Sequence, residues 1–218
     1  MMTTPDRFTT EPPLGHPTPA SIVVVGGTFD PPHRAHTAFA QAACEHTGSE
    51  CVVFIPANRS PHKTRVQSDG SHRQAMVKLA TATIPGAHVS TYELDRPAPS
   101  YTVLTLEALR AAVGETVRLH LLMGADQAAS FERWYQWERI LELAEPVIAV
   151  REGSDDGLAE TLKRHPEWGP CVMSVPRMDI SSTAIRESVA AGRDVSQWLH
   201  PDVLRYVLKH DLYGCPAG

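Results

Sequence analysis

The sequence predicts an α/β fold, a doubly wound and mainly parallel sheet, on three observations. Short continuous apolar runs such as IVVV (22–25), CVVFIP (51–56) and PVIAV (146–150) suit strands buried on both faces. Segments with helical apolar spacing lie between them, as right-handed crossovers require. Gly, His, Lys, Asp, Ser and Arg gather just after the apolar runs, beyond the carboxyl ends of the strands, where such sheets bind ligands.

Ordered structure is expected from Ile22, where IVVV runs into Gly26 and Gly27. A helix over 35–46 follows, then CVVFIP as a strand, a helix over 71–83 and strand-like HVSTYEL over 88–94. The next helix spans 101–113, because Leu104, Leu106 and Leu109 with Ala108 and Val113 make one apolar face. VRLHLLMG (117–124) is another buried strand, and the aromatic run FERWYQWERILELA (131–144) reads as a single helix. PVIAV, a helix over 156–164 and the strand CVMSV (171–175) come next, and GSDDG (153–157) reads as a surface turn. Helices over 182–191 and 201–212 close the chain.

At 218 residues, 42% hydrophobic and 21% charged, the chain suits one globular unit with a large core, and no internal repeat divides it. The leader over 1–20 is rich in Pro and Thr with almost nothing to bury, so it is expected to be a mobile tail before one domain at 21–218. A net charge of −5 argues against a surface that attracts nucleic acid as a whole, so any anion site must be local. The 4 cysteines form no Cys-x-x-Cys pair and no zinc-finger spacing, and a reducing cytoplasm is the simplest home. No apolar run approaches the roughly 20 residues of a membrane helix, and the first 20 residues lack a signal-peptide core, so no membrane partner is expected.

GGTFDPPHRAH (26–36) carries the strongest chemistry. Gly26 and Gly27 sit where a strand turns, and would let backbone N–H groups approach phosphates. Asp30 would cap the following helix, with Pro31 in its first turn. His33 and His36 are then three apart on one helical face. A surface pair, or half a metal site, is the bland alternative, and the glycine turn directly before them weighs against it. ISSTAIR (180–186) offers a second anion site: Ser182 and Thr183 would open a helix whose free N–H groups face an anion, and Arg186 leans back toward the same spot. An ordinary Ser-capped helix with a solvated Arg would also explain it. Lys63, in PHK after the second strand, is a weak signal alone. In MGAD (123–126), Gly124 permits close approach and Asp126 would accept hydrogen bonds from a sugar or base, although a plain helix cap fits the spacing equally well. G-x-G-x-x-G, the P-loop, H-E-x-x-H and G-x-S-x-G are all absent, which removes the usual dehydrogenase, NTPase, zinc-protease and serine-hydrolase signals.

With GGTFDPPH, FIPANRSPHK, RPAPSYTVLTLEALR, MGAD, the Trp134-Tyr135 pair, ISSTAIR and the closing HPDVLRYVLKHDLY in this order, the chain from about Ile22 onward resembles the bacterial nicotinate-nucleotide adenylyltransferases. Their superfamily is marked by a strand followed by His-x-Gly-His, where this chain has Ala35 for the glycine. The resemblance implies a Rossmann-like nucleotidyltransferase fold with C-terminal helices, and transfer of the AMP part of ATP to nicotinate mononucleotide with release of pyrophosphate. It places Gly26, Gly27, Thr28 and Phe29 at the junction of the substrates and His33, His36, Lys63 and Arg186 on the ATP phosphates. Gly124, Asp126, Ile180 and Ser181, with Ser182 and Thr183, fall on the rest of ATP, while Thr102, Trp134 and Tyr135 form the pyridine pocket. Mg2+ is expected to ride on the ATP phosphates with no protein metal site, and a homo-oligomer is left open. A transferase acting on phosphopantetheine would share the phosphate sites but not the pyridine pocket, and a non-catalytic nucleotide-binding domain is the alternative from another class.

Overall fold

A computed structural model describes residues 8, 10–11, 14, 18–59, 68–153 and 157–214. Seven strands form one sheet: β1 (Thr10–Glu11), β2 (Ser21–Gly27), β3 (Cys51–Pro56), β4 (Ala87–Ser90), β5 (Arg118–Gly124), β6 (Glu145–Arg151) and β7 (Val172–Val175). Their order is β1-β4-β3-β2-β5-β6-β7, with every pair parallel except β1 with β4. The chain winds outward from β2 to β3 and β4, returns, and winds the other way through β5, β6 and β7. The fold is doubly wound, and the reversal lies between β2 and β5.

The runs that predict the sheet are buried for the reason that predicts them. Ile22, Val23, Val52, Val53 and Ile148 are all 0% exposed because helices cover both faces. Over one face, α3 (Thr102–Val113) and α5 (Trp137–Leu143) pack Val103, Leu106, Leu109 and Ile140 against Ile22, Val24, Leu119 and Leu121. On the other, Ala40 and Ala43 of α1 (Arg34–Thr47) and Val77 of α2 (Gly70–Thr81) meet Val23, Val25, Val52 and Phe54. Beyond α2, α7 (Ser182–Ala190) and α8 (Pro201–Lys209) build a third cluster from Met76, Ala80, Ile185, Val189, Val203 and Val207. The remaining α-helices among the described residues are the short α4 (Ala125–Ala129) and α6 (Leu158–Arg164).

Several local expectations change. The aromatic run after α4 is not one helix: a 3-10 turn over Phe131–Arg133 gives way to extended Trp134 and left-handed Gln136 before α5. Phe131 is 0% exposed and packs its ring on Trp134, Trp137 and Trp168, so burial of these rings overrides continuous helix. The strand expected over 88–94 ends at Ser90, because Tyr92 turns inward and its backbone N–H donates to the Ser90 hydroxyl. Within the leader, Phe8 is 9% exposed and stacks on Tyr92, and Thr10 pairs with Ser90 and Glu11 with Val89. These residues depart from the expectation of a segment with almost nothing to bury. Of the 153–157 turn, residues 154–156 lie outside the described residues.

Candidate active site

The strand reversal opens a crevice. Pairing of β2 with β5 stops at Val24 and Leu121, whereas β2 stays paired with β3 to Gly27 and Pro56. Where β2 and β5 part, a cavity of about 410 Å3 is lined by Val24, Gly26, Gly27 and Thr28 on one side and by Leu121, Leu122 and Gln127 on the other. The first turns of α3 and the 3-10 turn close it with Tyr101, Thr102, Thr105, Arg133, Trp134 and Tyr135. A Cβ built on Gly26 would meet nothing within 4 Å, so the fold does not need glycine there. Gly27 is different, since its Cβ would lie 2.9 Å from the ring of Phe29, which folds back beneath it at a left-handed φ of 51°.

Tyr101 and Tyr135 bring their rings to 4.8 Å at the cavity mouth, and Tyr135 is 53% exposed. Thr102 opens α3, whose first N–H groups have no acceptor within the helix. Glu93 lines the same cavity and accepts from Thr105 Oγ1 at 2.6 Å. Burial raises its carboxyl pKa above the ordinary range, opposed by hydrogen bonds from Thr105 and Ser100.

Beside the cavity lies a second group on the turn from β2 to α1. Asp30 does not cap the helix: its carboxylate accepts from the Ser68 N–H at 3.3 Å and from the Tyr213 hydroxyl at 2.8 Å. His33 takes the cap position, so the two histidines do not share a helical face but stack at 3.7 Å, with the His33 N–H donating to His36 Nδ1 at 3.1 Å. Phe29 sets its edge against His36 at 5.0 Å. His33 is 8% exposed, and burial lowers its pKa to about 4, so the ring is neutral near pH 7.

The start of α7 docks on this turn. Ser181, not Ser182, caps the helix by accepting from the Ala184 N–H, while the Ser182 hydroxyl donates to the Pro31 carbonyl at 2.9 Å. Arg186 donates to the Asp30 carbonyl at 2.7 Å and to the Thr183 hydroxyl at 3.1 Å. His33 Nδ1 and Arg186 Nε are buried with no hydrogen-bond partner among the described residues.

Thus the cavity unites Gly26, Gly27, Thr28, Thr102, Trp134 and Tyr135, and hydrogen bonds and ring contacts join Phe29, His33, His36, Ser182, Thr183 and Arg186. Gly124, Asp126, Ile180 and Ser181 stand outside the cavity lining, at the end of β5 and the start of α7. Gly124, not Asp126, precedes α4 as its cap residue, and its N–H donates to Gln127 Oε1 at 3.0 Å. Ile180 packs on the third cluster. Lys63 lies outside the described residues. Sequence reasoning missed Glu93, Arg133 and Arg73. Arg73 carried a signal: it stands on the apolar stripe of α2 with Met76, Val77 and Ala80, and an arginine at such a position must find buried acceptors.

Residues 24–188 match the cytidylyltransferase-like family. A probable nicotinate-nucleotide adenylyltransferase from Roseiflexus sp. (strain RS-1) is 39% identical over 89% of this chain and 98% of its own length. One of the same description from Thermoanaerobacter sp. (strain X514) is 37% identical over 87% of this chain and 92% of its own. Among solved structures, Plasmodium falciparum nicotinic acid mononucleotide adenylyltransferase complexed with NaAD shares the fold with a TM-score of 0.67 at 17% identity, covering 88% of this chain and 97% of that one.

Proposed function

The chain belongs to the nicotinate-nucleotide adenylyltransferases of the cytidylyltransferase-like family, and from that premise we propose that it joins the AMP part of ATP to nicotinate mononucleotide in NAD biosynthesis. The products are nicotinate adenine dinucleotide and pyrophosphate. One observation carries the reading: an aromatic-mouthed cavity at the strand reversal shares Gly26, Gly27 and Thr28 with the turn that leads into His33 and His36 at the start of α1, and Arg186 of α7 docks on that turn. A pyridine nucleotide fills the cavity with its ring toward Trp134 and Tyr135, and its phosphate meets ATP above the two glycines.

An oxygen of the acceptor phosphate attacks the α-phosphorus of ATP as the bond to the bridging oxygen of the leaving pyrophosphate breaks, and no protein nucleophile is needed. Both reactants are anions, so the site works by holding them in line and by stabilising charge on the departing group. His33, kept neutral by burial, serves as a hydrogen-bond donor, whereas Arg186 supplies fixed positive charge. Lys63 and the adenosine contacts of Gly124, Asp126, Ile180 and Ser181 are part of the same proposal.

Among the described residues no group of three or more His, Cys, Asp or Glu is placed to hold a metal, and both carboxylate oxygens of Asp30 already accept protein donors. These residues fit Mg2+ bound through the ATP phosphates, where it would neutralise phosphate charge. We place the enzyme in a reducing cytoplasm: Cys44, Cys51 and Cys171 are free thiols, and no helix among the described residues is long and apolar enough to cross a membrane. Pyrophosphate release from Mg-ATP with nicotinate mononucleotide, nicotinamide mononucleotide and phosphopantetheine tests the reading. Turnover with a pyridine mononucleotide is expected. Turnover only with phosphopantetheine, or none from a well-folded sample, overturns it.

A further inference from the structure

Behind the cavity wall sits an arginine that does not line the cavity and that the proposed reaction does not use. Arg73, in the first turn of α2, is 2% exposed. Its guanidinium donates to the carbonyl oxygens of Thr28 at 2.9 Å, Ala57, Asn58 at 3.2 Å and Ser68 at 3.1 Å. All these acceptors are backbone, and they come from separate segments: the turn after β2, the loop after β3 and the approach to α2. Thr28 and Ala57 both line the cavity, and both of their carbonyls bond the same nitrogen, Nη1. The Ala57 N–H also donates to the Gly27 carbonyl at 2.8 Å, so the two loops meet in one knot with the guanidinium at its centre.

A cation this deep is costly unless its hydrogen-bonding groups are satisfied, and burial indeed lowers its pKa. Plain packing would be served by an apolar side chain, as at Met76 on the same helix face. The planar fork does something apolar packing cannot. It fixes the spacing of the loops after β2 and β3, and turns toward itself carbonyl oxygens whose lone pairs would repel arriving phosphates.

We infer that Arg73 is a positioning residue for adenylyl transfer: through the Thr28 and Ala57 carbonyls it sets the distance between the two loops that bring the phosphates of ATP and acceptor into line. The inference rests on the adenylyltransferase reading. In-line displacement is intolerant of misplacement, and an error of about 1 Å costs roughly 100-fold. Lysine keeps the charge but cannot hold carbonyls of all these segments in one plane.

Wild-type protein is first assayed with Mg-ATP and nicotinate mononucleotide, and absence of turnover there refutes the functional reading itself. With active wild type, Arg73→Lys and Arg73→Ala are compared well below their melting temperatures, each with kcat, both KM values and Tm. Arg73→Lys is expected to lose kcat by roughly 100-fold, with both KM values changed by less than about threefold. Added ethylguanidine is expected to raise kcat of Arg73→Ala by at least about tenfold without improving Arg73→Lys, whose side chain occupies the gap. A lowered Tm with kcat within about threefold of wild type in either folded variant, or ethylguanidine that restores Tm but not kcat, would reduce Arg73 to a structural role. If Arg73→Ala does not fold, the kcat of Arg73→Lys decides alone.

Discussion

His33 and His36 stack over the turn that follows β2, and their chemistry differs from that of two exposed imidazoles. Removing either by His33→Ala or His36→Ala is expected to leave a folded protein with turnover reduced roughly 100-fold, the usual cost of losing a donor to transition-state charge. Near-normal kcat in both would make the pair structural. His33 also dictates a pH dependence. Its pKa is lowered from 6.5 to about 4 by burial, so below pH 6.5 the unfolded chain takes up a proton that the folded ring refuses. Stability is therefore whole above pH 6.5 and is lost progressively as pH falls through 4, by about 3 kcal/mol at roughly 1.4 kcal/mol per pKa unit. Urea melts of wild type and His33→Gln at pH 7, 5.5 and 4 check this: the wild-type advantage should shrink as the pH drops, and a constant difference would contradict it.

At the scale of elements, α7 docks its first turn on the turn from β2 to α1, and two different serines do two different jobs there. Ser181 caps the helix, and its loss in Ser181→Ala should cost about 1 kcal/mol of stability. Arg186, one turn further on, spends part of its fork on the Asp30 carbonyl and the Thr183 hydroxyl, and its buried Nε has no partner among the described residues. Arg186→Lys keeps the charge but loses the fork, so kinetics with ATP as the varied substrate should worsen while Tm moves little. Unchanged ATP kinetics together with a much lower Tm would mark Arg186 as a tie between α7 and the turn. The break between the 3-10 turn and α5 shapes the cavity mouth. With Trp134 extended and Gln136 left-handed, the Tyr135 N–H is not taken up by a helix, and its ring reaches the cavity mouth.

The acid-over-amide selectivity we expect belongs to the whole molecule, because the aromatic mouth of the cavity is assembled from both halves of the doubly wound sheet. Thr102 comes from the helix after β4 and Tyr135 from the segment after β5. Aromatic contact with Trp134 does not distinguish nicotinate from nicotinamide, so the substituent must. A carboxylate accepts from N–H groups on both sides, whereas an amide turns its own NH2 toward one of them and leaves a buried donor unmet. That costs about 1–3 kcal/mol, roughly 5–150-fold in kcat/KM. Measured kcat/KM for nicotinate and nicotinamide mononucleotides at equal Mg-ATP should favour the acid by that range, and a ratio near one would refute the selectivity while leaving adenylyl transfer intact.

Sequence alone determined what depends on local pattern. IVVV, CVVFIP and the LLM of VRLHLLMG lie in strands because continuous apolar runs need cover, and the helical spacing between them dictates the parallel, doubly wound order. The glycine turn, the His pair and ISSTAIR were legible because each is a short run with its own chemistry, and the family could be read from their order. What tertiary structure decided depends on partners distant in sequence. Asp30 looked like a helix cap until Tyr213 and Ser68 claimed its carboxylate; the aromatic run looked like one helix until Phe131 was drawn into the core. Phe8 found Tyr92, and Arg73 found carbonyls up to 45 residues away. Periodicity reports which face of an element is buried, but not which atoms lie across the gap. Hydrogen bonds to backbone carbonyls leave no mark on the sequence of the acceptor, so the knot behind the cavity wall appears only once the loops after β2 and β3 are brought together.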